Sequence, residues 1–267
     1  MTRSAAFPAV LVVALAAALA FLTLPVLAIF LDTSPGELLS SLGDAAAIDA
    51  LRLSLVCSAI AVAIIVAVGT PAAYFLATRS FPGRAAVVTL IELPLVLPPA
   101  VAGIGLLAAL GPQGLLGDLL HDAGLGLVLT TAGVVCALTF VAAPFYLRQA
   151  QAAFAAVDTR WLDASRTLGA SERRTFARIA IPAAGPGLLA GLALAWGRAL
   201  GEFGATLMFA GSFRGITQTV PLAIYERFAT DFTGALALSA VLVAVSAALL
   251  ASVKLLSGTA WLGGAAR

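Results

Sequence analysis

Charge is scarce in this chain of 267 residues: Asp, Glu, Lys and Arg make up 10% of it, whereas a soluble domain carries about 25%. Lysine occurs once, at Lys254 after Val253, which excludes the Gly-Lys-Ser/Thr loop that binds ATP phosphates in P-loop enzymes. The single histidine, His121, and the cysteines Cys57 and Cys136 form no metal-ligand or HExxH motif, and Gly-x-Ser-x-Gly is also absent. The sequence therefore supports neither a metal site nor a membrane-embedded enzyme with catalytic residues.

Apolar residues dominate instead, at 61% of the chain with a mean hydropathy of +1.07. They form runs of about 20 residues or more, the length that a helix needs to cross the hydrocarbon core of a bilayer. We predict an all-α, polytopic membrane protein, in which the first run is too long to be the apolar part of a signal peptide. The six predicted transmembrane helices are residues 8–31, 53–78, 86–110, 127–147, 183–210 and 234–253.

The basic residues are distributed unevenly over the two sides that six crossings define. The side with both termini carries eleven of them, and the other side carries Arg52, Arg214 and Arg227. Because Lys and Arg concentrate in cytoplasmic loops, the first side is predicted to be the cytoplasm. Its basic residues are Arg3, Arg79, Arg84, Arg148, Arg160, Arg166, Arg173, Arg174, Arg178, Lys254 and Arg267.

The most polar part of the sequence is residues 148–182, which follow the fourth predicted span on the cytoplasmic side. Gly169 is expected to end a short helix there, because glycine accepts a positive φ at little cost. Pro182 is expected to end the following charged run, so that the fifth span begins after it. We predict a docking surface, with an ordinary amphipathic loop as the alternative. Its residues would be Asp163, Ala164, Ser165, Gly169, Ile179 and Pro182.

The third predicted span contains three prolines within six residues, Pro94, Pro98 and Pro99. Proline removes a backbone donor and kinks a helix, so this span cannot be a regular helix. In a membrane, a freed carbonyl is tolerated only where protein or a water-filled path covers it. The span is therefore predicted to line a pathway and to present backbone dipoles to it. A merely kinked helix is the alternative.

The fifth predicted span contains two opposite charges, Arg198 and Glu202, four residues apart. On a helix they would share a face, and charges inside a membrane segment are costly unless they are paired. Gly197, Gly201 and Gly204 would thin the helix and allow close packing or a hinge. The pair could serve only to fix helix packing or could act directly in a pathway, and the sequence leaves both readings open.

The polar segment resembles the cytoplasmic loop of ABC importer permeases, whose pattern is Glu-Ala-Ala, three residues, Gly, nine residues and Ile-x-Leu-Pro. Gly169, Ile179 and Pro182 match this pattern, and conservative changes occur elsewhere in it, with aspartate in the glutamate position. Three further runs are similar to the permeases of molybdate importers, and less so to those of sulfate/thiosulfate importers. These runs are LPLVLPP at 93–99, GRALGEFGATLMFAG at 197–211 and TQTVPLAIY at 217–225.

The resemblance covers about residues 49–256 and implies a type I ABC importer permease fold with a coupling loop at 148–182. Residues 1–48 would add an N-terminal transmembrane helix and a periplasmic loop, and residues 257–267 would form a short cytoplasmic tail. The resemblance also implies transport of molybdate across the inner membrane by alternating access. The alternatives are a permease for sulfate, thiosulfate or tungstate, and a stand-alone secondary oxyanion transporter or channel, which the docking segment disfavours.

The same resemblance implies the partners of the chain. Two copies of the permease would associate with two copies of an ABC ATPase subunit within the lipid bilayer, and a periplasmic molybdate-binding protein would deliver the anion. The permease itself would bind no cofactor, since ATP and Mg²⁺ would lie on the ATPase subunits. No interaction with nucleic acid is expected.

Overall fold

The structure, a computed structural model, describes residues 6–34, 36 and 43–264, with the side chains of 7–34, 36, 43–253 and 255. Arg3, Arg267 and much of the predicted loop after the first span, including Glu37, lie outside the described residues. The described chain is helical and contains no strand within these ranges. This confirms the predicted all-α class.

The long helices are α1 (Ala6–Leu31), α2 (Ala45–Thr78), α6 (Thr131–Ala155), α9 (Ile181–Leu200) and α12 (Phe232–Gly264). Shorter helices lie between them: α3 (Arg84–Val96), α4 (Pro99–Leu110), α5 (Gly117–Asp122), α7 (Thr159–Thr167), α8 (Glu172–Thr175), α10 (Gly204–Ala210) and α11 (Val220–Phe228). A π-helical segment, Phe176–Ala180, joins α8 to α9.

Five helical stretches are long and apolar enough to cross a membrane, and α3 with α4 makes a sixth if this bent pair is counted as one span. α2 and α6 run in parallel. Near one end, the Thr70 and Tyr146 hydroxyl oxygens lie 2.6 Å apart. At the other end, both helices begin beside the same segment, where Asp44 pairs with Arg227 and Thr131 donates a hydrogen bond to the Ile216 carbonyl. The chain between α2 and α6 must therefore cross once, which is consistent with six predicted spans.

Several helix ends differ from the predicted spans because polar residues cap the helices outside the apolar runs. α2 begins at Ala45 rather than 53, since the Asp44 carboxylate accepts a hydrogen bond from the Ala46 N–H at 3.0 Å. α6 extends to Ala155, so residues 148–155 are helix and not loop as predicted. α12 runs to Gly264, and most of the predicted tail at 257–267 is therefore helical.

The core is built on α6, which packs against α2 and α9 along one side and against α4 and α10 along another. Small residues allow these close approaches: a Cβ at Gly191 would fall 3.1 Å from Gln149 Cβ. A third cluster joins the start of α2 to α11 and α12. α1 lies at the edge of the described structure, where its side chains from Phe7 to Phe21 are exposed and it contacts α12.

Candidate coupling element and transmembrane pathway

Residues 158–180 form a polar helical hairpin at the end of α6, and α7 is its first helix. The Asp158 carboxylate begins α7 by accepting a hydrogen bond from the Arg160 N–H at 2.9 Å. The Arg160 guanidinium binds the same carboxylate at 2.6 Å, which lowers the pKa of Asp158. Leu162 is buried beneath the helix, whereas Trp161 is 58% and Leu168 87% exposed. Two large apolar side chains are thus exposed on a surface that also carries many charged residues. This combination indicates that the outer side of the hairpin is a contact surface.

The turn that ends α7 requires glycine. Gly169 has φ of +82°, which confirms the expected positive value. The Gly169 N–H donates to the Arg166 carbonyl at 2.9 Å, and the Ala170 N–H donates to the Ser165 carbonyl at 3.1 Å. A left-handed residue with these two bonds closes the helix and turns the chain into α8.

Ion pairs hold the two helices of the hairpin together. The Arg166 guanidinium lies 2.9 Å from both Asp163 and Glu172, and its hydrogen bond lowers the pKa of the Glu172 carboxyl. Arg79, just after α2, lies 3.9 Å from Glu172 and connects the hairpin to that helix. These pairs are largely exposed, so each contributes little to stability.

Pro182 does not end the charged run as predicted, because one helical stretch continues from Glu172 to Leu200. The π-helical segment before the proline explains the continuity: the Ile181 N–H donates to the Phe176 carbonyl, one residue further back than in an α-helix. This wider turn relieves the clash between a proline ring and the preceding carbonyls. Ile179 is half-buried against the main core, and Pro182 is exposed at the start of α9.

The predicted docking residues therefore divide into two groups. Asp163 and Ala164 are exposed on α7, and the Gly169 turn follows them. The Ser165 hydroxyl instead faces α8, at 3.0 Å from the Thr175 hydroxyl. Ile179 and Pro182 lie in the helical stretch that continues into α9, Ile179 half-buried at the end of the hairpin and Pro182 exposed just after it, so neither belongs to the exposed face of α7.

An aromatic cluster under the hairpin was not predicted from the sequence. The Tyr74 ring lies 5.3 Å from Phe154 and 4.8 Å from Phe176, between ring centroids. The three residues come from α2, α6 and the π-helical segment, so their contacts depend on tertiary packing. The cluster connects the hairpin to two of the core helices.

The proline-rich span is broken rather than kinked, which excludes the alternative of a merely kinked helix. α3 ends at Val96, Leu97 is extended, Pro98 precedes α4, and Pro99 is its first residue. The chain direction bends by 118° between the two helices. Pro94 lies within α3, so Pro98 and Pro99 account for the position of the break. Pro99 fits the first position of a helix because that N–H has no helical partner.

The fifth predicted span is also broken, which corrects its prediction as one helix over 183–210. α9 ends at Leu200 and α10 begins at Gly204. Glu202, only 1% exposed, connects the two helices, because its Oε1 accepts a hydrogen bond from the Ala205 N–H at 2.7 Å. Its Oε2 lies 2.5 Å from Arg198 Nη2, so the structure places these two charges in contact.

The two breaks meet each other. A Cβ at Gly204 would fall 2.9 Å from Pro99 Cβ, and one at Gly103 would fall 2.7 Å from Met208 Cβ. These glycines allow α4 and α10 to approach closely. At Gly197 and Gly201 no other described helix crowds the position, and Gly201 follows the last residue of α9. Whether these two glycines serve packing or a hinge stays a prediction.

The segment before α11 contains three consecutive buried polar residues that were not predicted from the sequence: Thr217, Gln218 and Thr219. Next to them, the Val220 N–H donates to Ser54 Oγ on α2 at 2.8 Å. One turn further along α2, Ser58 Oγ accepts a hydrogen bond from Trp196 Nε1 at 3.0 Å. The sequence feature that could have predicted these buried polar residues is the run Thr-Gln-Thr directly before an apolar helix.

Comparison with known proteins gives these features a context. The family described as "Binding-protein-dependent transport system inner membrane component" matches residues 69–259, which include the hairpin and both breaks. The chain belongs to this family. It is thus a multi-pass inner membrane component of a transport system and a transporter subunit rather than an enzyme.

Individual relatives match most of the length of this chain. The molybdenum transport system permease protein ModB of Mycobacterium tuberculosis is 38% identical over 86% of the chain and 88% of that protein. A probable molybdenum ABC transporter permease of Haloferax volcanii is 36% identical over 91% of the chain and 88% of that protein. A chain of a bacterial alginate ABC transporter, 18% identical, has a TM-score of 0.74 over 96% of this chain and 94% of its own. The fold is the predicted type I ABC importer permease fold.

Proposed function

We propose that the chain is the permease subunit of an ATP-driven ABC importer that moves molybdate across the inner membrane by alternating access. The observation that carries the proposal is the identity of 36–38% to molybdenum transport permeases over 86–91% of the chain. The absence of a P-loop motif is consistent with a separate ATPase subunit that holds ATP and Mg²⁺.

The polar hairpin at 158–180 is proposed to be the contact with that ATPase subunit. It exposes Trp161 and Leu168 among charged side chains, a combination that suits an interface with a soluble partner. The helix from Glu172 to Leu200 then leads directly to the Arg198–Glu202 pair. Movement of the hairpin would therefore reach the broken segments through one continuous helical stretch and through the aromatic cluster.

We further propose a complex of two permease copies, two ATPase subunits and a periplasmic molybdate-binding protein. The exposure of α3 supports the presence of an additional partner, since none of the residues of this helix is buried in the described chain. Both termini are proposed to be cytoplasmic, on the same side as the hairpin. The support is the concentration of basic residues there, which include Arg79, Arg84 and the hairpin arginines.

The test is uptake of labelled molybdate, tungstate and sulfate in a strain that lacks its own permeases for these anions. The chain is expressed with its neighbouring ATPase and binding-protein genes. Molybdate uptake that depends on the ATPase is the expected result. Uptake of sulfate or tungstate in preference to molybdate would contradict the substrate assignment, and uptake without the ATPase would indicate a secondary transporter.

A further inference from the structure

A second pair of opposite charges, away from Arg198 and Glu202, lies on a face that the chain leaves open. Arg148 Nε on α6 is 3.6 Å from Glu92 Oε1 on α3. The Arg148 side chain is 70% exposed and that of Glu92 38%, so the described chain leaves most of the Arg148 side chain uncovered. By contrast, the Arg198 side chain is 25% exposed and bound to a buried carboxylate.

Both residues of the Arg148–Glu92 pair lie within stretches that are long and apolar enough to cross a membrane, so Arg148 belongs to a span and not to the cytoplasmic loop predicted for it. Arg148 is seven residues before the end of α6, about 10 Å along a helix of 1.5 Å rise per residue. Glu92 is eight residues after the start of α3, about 12 Å. Both of these helix ends lie on the side of the polar hairpin. Charged side chains inside a membrane segment face a protein interior or a water-filled cavity, because lipid contact is costly.

α3 packs against α6 but has no buried residue in the described chain, and it leaves Leu90 67% and Val96 77% exposed. On α6, Phe145 lies three residues before Arg148 and hence on the same face. Phe145 also lines a cavity of about 650 Å³ between α9 and α12 whose wall includes Arg198. Arg148 therefore lies about one helical turn from the wall of the cavity that Arg198 lines, towards the hairpin end of α6.

Resting on the proposed function, we infer that Arg148 is a transient binding site for the transported oxyanion, with Glu92 as its competing partner. A guanidinium presents several N–H donors in a planar fork, which suits the oxygens of a tetrahedral oxyanion. Glu92 neutralises the arginine when no anion is present and repels an anion once it is bound. Binding stays weak enough for release, as conduction requires.

The experiment uses the complete complex with its ATPase and binding protein in proteoliposomes, and measures labelled molybdate uptake and ATP hydrolysis together. Arg148→Gln is expected to lower uptake at least tenfold, while ATP hydrolysis stimulated by the loaded binding protein stays within twofold of the parent. Arg148→Lys, which keeps the charge but not the fork, should be several-fold slower than the parent. Arg52→Gln is the matched control, since it removes another exposed arginine from a long helix and should leave uptake unchanged.

The double variant Arg148→Gln with Glu92→Gln separates binding from simple helix packing. Uptake should remain as low as in Arg148→Gln, because the anion still lacks its partner. Recovery of parental uptake would overturn the proposal, since the pair would then only join α3 to α6. Parental uptake by Arg148→Gln would overturn it as well. If Arg148→Gln does not assemble, molybdate uptake by Arg148→Lys is compared with that of the parent complex instead. Parental uptake by this variant would again overturn the proposal.

Failure of the proposed function gives a different result. A parent complex that carries sulfate but not molybdate would refute the molybdate assignment, and the Arg148 variants would then be scored with sulfate. A parent complex that carries neither oxyanion would refute both proposals. The parent measurement is therefore made first with each anion.

Discussion

Glu202 connects the two helices of the broken fifth span. One carboxylate oxygen accepts the Ala205 N–H and so begins α10, and the other lies against Arg198 at the end of α9. The carboxylate is buried, and within the described chain these two groups are its partners. The pair therefore acts on the shape of the break whether or not an anion touches it.

Removing one member of this pair should destabilise the protein. Breaking a buried ion pair leaves an uncompensated charge and typically costs about 3–5 kcal/mol. We expect Glu202→Ala and Arg198→Ala each to lower thermal stability in detergent, and the double variant to recover part of the loss. Additive losses in the double-mutant cycle would show that the two side chains do not interact.

Uptake measured on the same variants separates packing from a pathway role. A double variant that regains stability and transport would mean that the pair is structural. Regained stability without transport would mean that one charge acts on the anion, and Arg198 has the appropriate sign. Loss of the Glu202 bond to Ala205 will limit the recovery in either case.

Gly169 is the residue whose backbone conformation the polar hairpin requires. Its φ of +82° lies outside the range of proline, and its N–H donates to the Arg166 carbonyl. Gly169→Pro should abolish transport while the protein remains in the membrane. Gly169→Asn is the control, because asparagine tolerates this conformation and no atom crowds the position. Normal transport and normal co-purification of the ATPase by the proline variant would contradict the docking assignment.

At the scale of elements, the two broken spans form one unit. α4 and α10 are too short to cross a membrane alone, and each gains its position from the other through Gly103, Gly204 and Pro99. One break follows the last residue of α3, Val96, and the other follows the last residue of α9, Leu200. Both of these helices contact α6. A rearrangement of one break is therefore expected to move the other.

Two glycines of α4 allow a matched test of this contact. A Cβ at Gly103 would fall 2.7 Å from Met208 Cβ and 2.8 Å from the Ala205 carbonyl oxygen, whereas Gly105 faces open space. Gly103→Ala should destabilise by about 1–3 kcal/mol through overpacking. Gly105→Ala should be neutral or stabilise by roughly 0.5–1 kcal/mol, since alanine favours the helix. Equal melting temperatures for the two variants would argue against the crossing of α4 and α10.

At the scale of the whole molecule, the structure separates two polar ends. One contains the hairpin, Arg79 and Arg84, whose Nε donates to the Leu76 carbonyl at 2.8 Å and so holds the turn after α2. The other contains the Arg214–Glu226 and Arg227–Asp44 pairs, and the hydrogen bond from Arg214 lowers the pKa of Glu226. Arg214 and Arg227 at this second end are paired with acids, whereas the hairpin end has a surplus of basic residues.

Cysteine labelling tests the orientation of these ends. In a variant with Cys57 and Cys136 replaced by serine, a cysteine at exposed Asp118 should react with an impermeant reagent in intact cells. A cysteine at exposed Ser171 should react only after the cells are opened. External labelling at position 171 would reverse the orientation and remove the hairpin from the side of the ATPase.

The sequence by itself determined the helical class, the approximate number of spans and the location of the polar hairpin. Apolar runs and arginine clusters are local features of the sequence. The preference of these residues for lipid or water therefore predicts spans and sides without knowledge of tertiary contacts. The positive φ at Gly169 and the disruption near Pro98 could also be predicted, because each follows from the chemistry of a single residue. The charged pair at Arg198 and Glu202 was evident from its spacing.

Only the tertiary structure decided which of these local features meet. The helix continues through Pro182 because a π-helical turn relieves the proline, and it stops after Leu200 because Glu202 holds the start of a new helix. The contact of Gly204 with Pro99 and the pairing of Arg148 with Glu92 join residues far apart in the chain. Such contacts depend on the relative positions of several helices, and no local sequence pattern contains that information.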